Sequence, residues 1–256
     1  MQIDVIGSGS AFATQANTSA MMVTENDQCW LIDCGPTIPR ALWQRALPVN
    51  TVDVIYFTHI HPDHCAGLAA LLNQWNSFGR DKPLTIICQP EQQEMLESLV
   101  TLAVWPKMAL CFELHWCPTL PSMHWGAWTI QTAPTRHEVS NLAIRISSGD
   151  RTLFYSGDGR PTAESIALME NADIAFQECA AFAALPDDDS HGDLPQCAQL
   201  SNTLNLAHLC VYHCWDEYID DIKNFCAAQP CLHVSQDGLT LDLTRDITPQ
   251  LERQLG

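Results

Sequence analysis

The sequence predicts an α/β fold built in layers from mixed sheets, and three observations carry the prediction. Short β-like apolar runs alternate with helix-length amphipathic segments along all 256 residues. Several of those runs are separated only by turn residues, such as Asn26-Asp27 and Ser148-Gly149-Asp150, so parts of the sheets are antiparallel hairpins or meanders. His59, Asp158 and His213 each follow an apolar run, which places them at strand ends where side chains from different strands converge.

In chain order, strands are expected at residues 3–6, 20–23, 30–33, 52–57, 84–87, 128–131, 142–146, 152–155, 174–176 and 239–243, and the stretch 206–212 also reads as a buried strand. Helices are expected at 39–46, 64–73, 91–104, 161–170, 194–204 and 216–226. Pro39 and Pro161 suit first-turn positions, where the missing N–H is not needed. No linker, low-complexity tract or short-period repeat interrupts the pattern, so residues 1–256 are expected to form a single domain.

Thirty acidic residues stand against 12 basic ones, a formal charge of −18 that would repel a long phosphate backbone. Extended nucleic acid is therefore not an expected partner. A small anionic substrate is still allowed, because bound divalent ions can invert the local field. No long apolar window suggests a membrane span, and Met1-Gln2-Ile3-Asp4 lacks the basic start of a secretion signal, so a cytoplasmic protein is expected. The 12 cysteines contain no C-x-x-C pair and are scattered, which fits reduced thiols better than a disulfide framework. Cys210 and Cys214 have helical metal-ligand spacing, but Cys210 falls in a strand-like run, so both are expected to be core thiols. The same holds for Cys29, Cys34, Cys65, Cys111 and Cys117.

The chemistry is concentrated in Thr58-His59-Ile60-His61-Pro62-Asp63-His64. Three imidazoles and a carboxylate within six residues, directly after an apolar strand, are costly to bury unless they are paired or bind a cation. Gly7-x-Gly9 is a different case: position 12 is Phe and a polar loop follows, so dinucleotide binding is not expected.

The histidine run resembles the H-x-H-x-D-H signature of the metallo-β-lactamase superfamily. Further matches follow in order: Gly7-Ser8-Gly9-Ser10-Ala11-Phe12, Asn17-Thr18-Ser19, Leu31-Ile32-Asp33-Cys34-Gly35, Thr135-Arg136-His137, Tyr155-Ser156-Gly157-Asp158 and Tyr212-His213. These resemble the tRNase Z-like branch. The resemblance implies a four-layer αββα sandwich with mixed sheets. It also implies two divalent metal ions, one held by His59, His61 and His137, the other by Asp63, His64 and His213, with Asp158 bridging. Zn2+ suits the nitrogen-rich set, with Mn2+ or Fe as alternatives. A hydroxide shared by the ions would be the nucleophile.

Ser190-His191-Gly192-Asp193 resembles the motif whose histidine, in phosphodiesterases of this branch, contacts the phosphate and protonates the leaving oxygen. His191 and Asp63 are thus the expected catalytic residues, and His191 also the substrate-binding one. Glu178 in Glu178-Cys179-Ala180-Ala181-Phe182 is either an orienting partner of His191 or an ordinary strand-end carboxylate. His115, His124, His208 and His233 match no motif, and the tryptophans, Trp215 among them, are left outside the site.

Only 21 positions separate His137 from Asp158, too few for the long arm with which tRNase Z enzymes grip tRNA. The implied activity is therefore a phosphodiesterase for small or cyclic phosphate diesters, resembling the armless members of the branch, with homodimerisation common among relatives. Three alternatives stay open: a lactonase or other acyl hydrolase using the same metals, a tRNase Z-like ribonuclease, and a metal-binding protein without turnover.

Overall fold

A computed structural model describes residues 1–107 and 109–255. Six strands of the first half, β1 (Gln2–Gly7), β2 (Ala20–Glu25), β3 (Gln28–Ile32), β4 (Val54–Tyr56), β5 (Leu84–Cys88) and β6 (Leu114–Pro118), lie in one sheet in sequence order. The second sheet runs β7 (Ser122–Trp125), β8 (Trp128–Pro134), β9 (Leu142–Ser148), β10 (Arg151–Tyr155), β11 (Ile174–Glu178), β12 (His208–Tyr212) and β13 (Leu232–Val234). A last strand, β14 (Thr240–Asp242), returns to pair antiparallel with β1. Each sheet is antiparallel on one side, through β3 or β10, and parallel on the other. Both are mixed, and neither the helices nor the sheets leave the α/β class expected from the pattern.

Period-two alternation separates the layers. In β3, Trp30 and Ile32 face the other sheet and meet Trp128, Ile144, Leu153 and Phe176, while Cys29 and Leu31 face the helices. Helices α1 (Ile38–Gln44), α3 (Leu68–Ser77) and α4 (Gln93–Val104) cover the first sheet, with Leu68, Leu71, Leu72 and Trp75 of α3 buried on it. Between them, α2 (Pro62–Cys65) is a single turn inside the histidine run. Helices α5 (Ala163–Met169), α6 (Leu194–Thr203) and α7 (Ile219–Cys226) cover the second sheet through Met169, Leu194, Leu200 and Ile222. Finally α8 (Thr248–Leu255) inserts Leu251 at the edge of the inter-sheet core. Three apolar layers between four layers of backbone make the αββα sandwich.

Several boundaries differ from expectation for local reasons. The helix expected over 64–73 is split, because Gly67 approaches Gly35 so closely that a Cβ would lie 2.1 Å from its carbonyl oxygen. Pro161 lies just outside α5: Thr162 caps the helix, accepting from Ser165 N while Ser165 Oγ accepts from Thr162 N. The strand expected at 30–33 stops at Ile32, since Asp33 turns out of the sheet at φ 63°. The edge strands β6 and β7, short β13 and polar α8 were not expected. All are half-exposed elements whose apolar faces are too brief to show a period. All 12 cysteines are free thiols, and Cys111 is exposed rather than in the core because it sits in the connection before β6. Among the described residues, no helix is long and apolar enough to cross a membrane.

Candidate metal centre

The site lies where the strand ends of both sheets meet. His59 follows β4 after Phe57 and Thr58, and the turn at Pro62 starts α2, which brings Asp63 and His64 round to the same edge. From the second sheet, His137 comes from the β8–β9 connection, Asp158 from the loop after β10, and His213 from the end of β12. His213 adopts a left-handed φ of 60° and its N–H donates to Ser8 O at 2.8 Å, so the glycine-rich loop braces a strained backbone position. That loop is itself held by Asp237, which accepts from Ser8 N, Ser8 Oγ and Asn17 N.

Asn141 joins the His137 and Asp158 loops: its amide donates to Thr135 Oγ1 and Ser156 O, and its oxygen accepts from Asp158 N. Gly157 is required there, because its φ is 60° and a Cβ would lie 2.3 Å from Asn141 Oδ1.

The seven residues form two groups sharing Asp158. In each, the candidate ligand atoms lie within 4.8 Å of one another. In the first, His59 Nε2 and His137 Nε2 stand 3.1 and 2.9 Å from His61 Nδ1, and His59 Nε2 is 4.0 Å from Asp158 Oδ2. In the second, His64 Nε2 lies 3.2 Å from Asp158 Oδ1 and 3.4 Å from Asp63 Oδ2. His213 Nε2 lies 3.3 Å from Asp63 Oδ2 and 3.2 Å from Asp158 Oδ2. Ligands about 2.0–2.1 Å from one tetrahedral ion stand roughly 3.3 Å apart, which matches these separations.

Proton bookkeeping accounts for the fit of a cation. Thr58 Oγ1 donates to Asp33 Oδ2, so it accepts from His59 Nδ1. His137 Nδ1 donates to the Ser190 carbonyl, and His61 Nε2 lies 3.1 Å from Glu138 Oε1, a position that favours its proton on that outer nitrogen. Each proton is thereby placed on the outer nitrogen, and three bare lone pairs face one another. His64 repeats the pattern: Nδ1 donates to buried Asp33 at 2.8 Å, while Nε2 and Asp158 Oδ1 have no hydrogen-bond partner. Buried acceptors that face only acceptors are stabilised by positive charge.

The pKa directions say the same. Burial works against charge on His64 and His213, yet Asp158, with Asp33 at His64 and Asp63 at His213, raises both above the ordinary range. Burial pushes His59 well down and lowers His137. Although burial alone would raise Asp63 and Asp158, the facing imidazoles hold both carboxyls far below their usual values.

His191 stands beside both groups, its ring centroid 5.3 Å from that of His137 and 5.9 Å from that of His213. Its Nδ1 donates to Glu178 Oε1 at 2.8 Å, and Glu178 Oε2 accepts from Gly192 N at 2.7 Å. Glu178 is fully buried, so this carboxylate is the orienting partner of His191. Desolvation lowers the His191 pKa, but the Glu178 hydrogen bond and charge outweigh it and raise the value.

Trp215 meets the His191 ring edge-on at 5.8 Å and lines, with Phe12, His213 and Glu217, a cleft of about 460 Å³. A larger cavity, about 550 Å³, lies behind Tyr212 and Cys214 and none of the seven candidate ligands lines it.

The seven residues expected as ligands and His191 all meet at this edge. Trp215, Thr58, Glu138 and the part played by Asp33 were not expected. Asp33 did carry a signal, an acidic residue directly after an apolar strand.

Fold and site together define a metallo-β-lactamase-fold hydrolase with a His/Asp centre suited to divalent metal. At a TM-score of 0.80 and 22% identity, the metallo-β-lactamase fold protein YhfI from Bacillus subtilis covers 94% of this chain, and 98% of its own chain is matched. Residues 1–229 match the family described as Anti-Pycsar protein Apyc1, and the chain belongs to that family. A relative of that name from Paenibacillus harenae is 27% identical over 188 residues, 70% of this chain and 77% of its own length. Ribonuclease Z of Methanosarcina acetivorans is 19% identical over 278 residues, covering 87% of this chain and 90% of its own.

Proposed function

We propose that this protein is a dinuclear metal-dependent phosphodiesterase for small or cyclic phosphate diesters. His59, His61 and His137 hold one ion, Asp63, His64 and His213 the other, and Asp158 both. Zn2+ is the ion the nitrogen-rich set favours, with Mn2+ or Fe as alternatives. Bound there, a divalent pair supplies charge to the phosphoryl oxygens and lowers the pKa of a water to give a nucleophile near neutral pH.

The observation that carries the reading is the Glu178–His191 pair beside the ligands. An alkoxide leaving phosphorus needs an acid beside the metal centre, and the His191 imidazole, held by Glu178, stands beside both ligand groups to serve as one. Glu178 accepts from Nδ1 and supports a proton on the imidazole, so Nε2 donates it to the departing oxygen as the P–O bond breaks. Neutral His191 remains and takes up a proton from solvent. The cleft beside Trp215, about 460 Å³, has room for the alcohol portion of a small diester, and the net charge of −18 opposes long nucleic acid.

The test is turnover of a 2′,3′-cyclic nucleotide, an aryl phosphodiester and a lactone by protein carrying two ions per chain. His191→Ala is expected to lose about 100-fold or more in kcat on the cyclic diester. Failure of the wild type on both diesters rejects the reading, and turnover of the lactone alone replaces it with acyl hydrolysis.

A further inference from the structure

His191 lies in the connection between β11 and α6, outside both elements, and Glu178 at the end of β11 holds the adjoining Gly192 N–H. Side chains from the two neighbouring ligand loops also reach that connection. His137 Nδ1 donates to Ser190 O, and Arg136 Nη1 donates to Asp187 O. The most extensive grip comes from Arg160, buried two residues beyond Asp158. Its Nη1 donates to His191 O at 3.2 Å and Pro186 O at 3.3 Å, and its Nη2 pairs with Asp193 Oδ2 at 3.2 Å.

Asp193 completes the hold: Oδ2 accepts from Leu185 N at 3.1 Å and Oδ1 caps α6 through Gln196 N at 3.0 Å. One guanidinium therefore holds the connection before His191, at His191 and after it. Backbone exchange between Arg136 and Arg160, at 2.9 and 3.0 Å, fixes the base from which it reaches.

We propose that Arg160 is the positioning residue that sets His191 against the metal centre, through the His191 carbonyl and Asp193. This rests on the phosphodiesterase reading above. A planar fork carries five N–H donors on three separated nitrogens and so reaches acceptors spread along the connection, whereas the three donors of an ammonium radiate from one nitrogen. The bonds go to backbone and to Asp193, leaving the Glu178–His191 bond untouched, so Arg160 governs where the acid stands and not which tautomer it is. Placement alone matters, because a displacement of about 1 Å can cost on the order of 100-fold in rate.

The experiment compares metal-loaded wild type with Arg160→Met, Arg160→Lys and Asp193→Asn on two diesters. One, a p-nitrophenyl diester, releases a phenolate that needs no proton; the other, a 2′,3′-cyclic nucleotide, releases an alkoxide that does. In Arg160→Met, kcat on the cyclic diester is expected to fall about 100-fold, and the nitrophenyl diester by less than about threefold. KM and bound metal stay near wild type, and Arg160→Lys recovers part of the loss. Amides of 182–193 should exchange hydrogen faster in Arg160→Met, while those of β11 and β12 do not.

Equal losses on both diesters, loss of metal, or undiminished cyclic turnover overturns the proposal. Should Arg160→Met fail to fold, Arg160→Lys and Asp193→Asn carry the same readouts. His191→Ala, run in parallel, separates the two claims. If it shows no leaving-group dependence, the acid role of His191 falls. If it does, while 182–193 exchanges at the wild-type rate in the Arg160 variants, only the positioning role falls.

Discussion

The two candidate ligand groups around Asp158 are unlike each other, and the difference separates a buried half of the candidate centre from an open one. His64 and His213 are buried with Asp63 and Asp158, and Asp33 stands fully buried behind His64. In the other group His61 is partly exposed, its outer partner Glu138 is largely in solvent, and Asp158 is the only carboxylate. More negative charge and a dry surrounding on the first side predict a tightly held ion that contributes to stability. The second side predicts an ion that exchanges. Burial and charge, more than the number of imidazoles, set the ranking.

The largest effect that would break this contrast is at Asp33. Its Oδ1 accepts from Thr58 N and its Oδ2 from Thr58 Oγ1 and His64 Nδ1. Asp33→Ala strips three buried donors of their partner and is expected to destabilise by roughly 3–5 kcal/mol. Asp33→Asn keeps the shape and should lower affinity at the buried side about 10–100-fold, as loss of such outer partners does. Thermal melts and metal content after dialysis against a chelator check both. An Asp33→Asn protein that holds two ions as wild type does would remove the distinction.

Chelation of the wild type gives the next test. Release should be biphasic, with the ion of the His59–His61–His137 group leaving first and the melting temperature falling chiefly in the second phase. A single phase, or a melt that falls with the first ion, would show the two groups to be equivalent.

Burial and charge also decide which parts of the molecule are legible in the sequence. The candidate ligands are legible because imidazoles and carboxylates packed into a short run after an apolar strand are costly to bury without a cation, and because Asp158 and His213 also end apolar runs. The sandwich is legible in its long buried strands, such as β11 and β12, every residue of which is buried. Supporting residues are not, since their roles arise from pairings across sequence distance. Asp33 serves His64, Arg160 serves Asp193, and Gly67 splits a helix by approaching Gly35. Asp33 shows only that an acidic residue ends an apolar strand, not which residue it serves, and the other two contacts leave no local pattern in residue type.

The smallest effect sharpens the comparison from outside the centre. His208 on β12 and His233 on β13 also bring two imidazoles together, Nδ1 to Nε2 at 3.1 Å, and His208 Nε2 meets Thr248 Oγ1 at 3.1 Å. Among the described residues no carboxylate joins the pair within ligand distance, so this cluster should hold no metal, and His233→Asn should leave metal content unchanged. Its signature is instead acid sensitivity. Burial and the neighbouring His208 push the His233 pKa from 6.5 down to about 4. The unfolded chain then binds the proton that the folded one refuses, so stability falls as pH drops through about 6.5 and levels off below about 4. Because the ring is partly exposed, solvent screening reduces the effect to about 1–2 kcal/mol. Urea denaturation of chelator-stripped protein at pH 7 and pH 4.5 should show that increment disappear in His233→Asn. If the increment persists unchanged, the acid sensitivity belongs to the imidazoles of the metal centre, and the two clusters differ less than their carboxylates suggest.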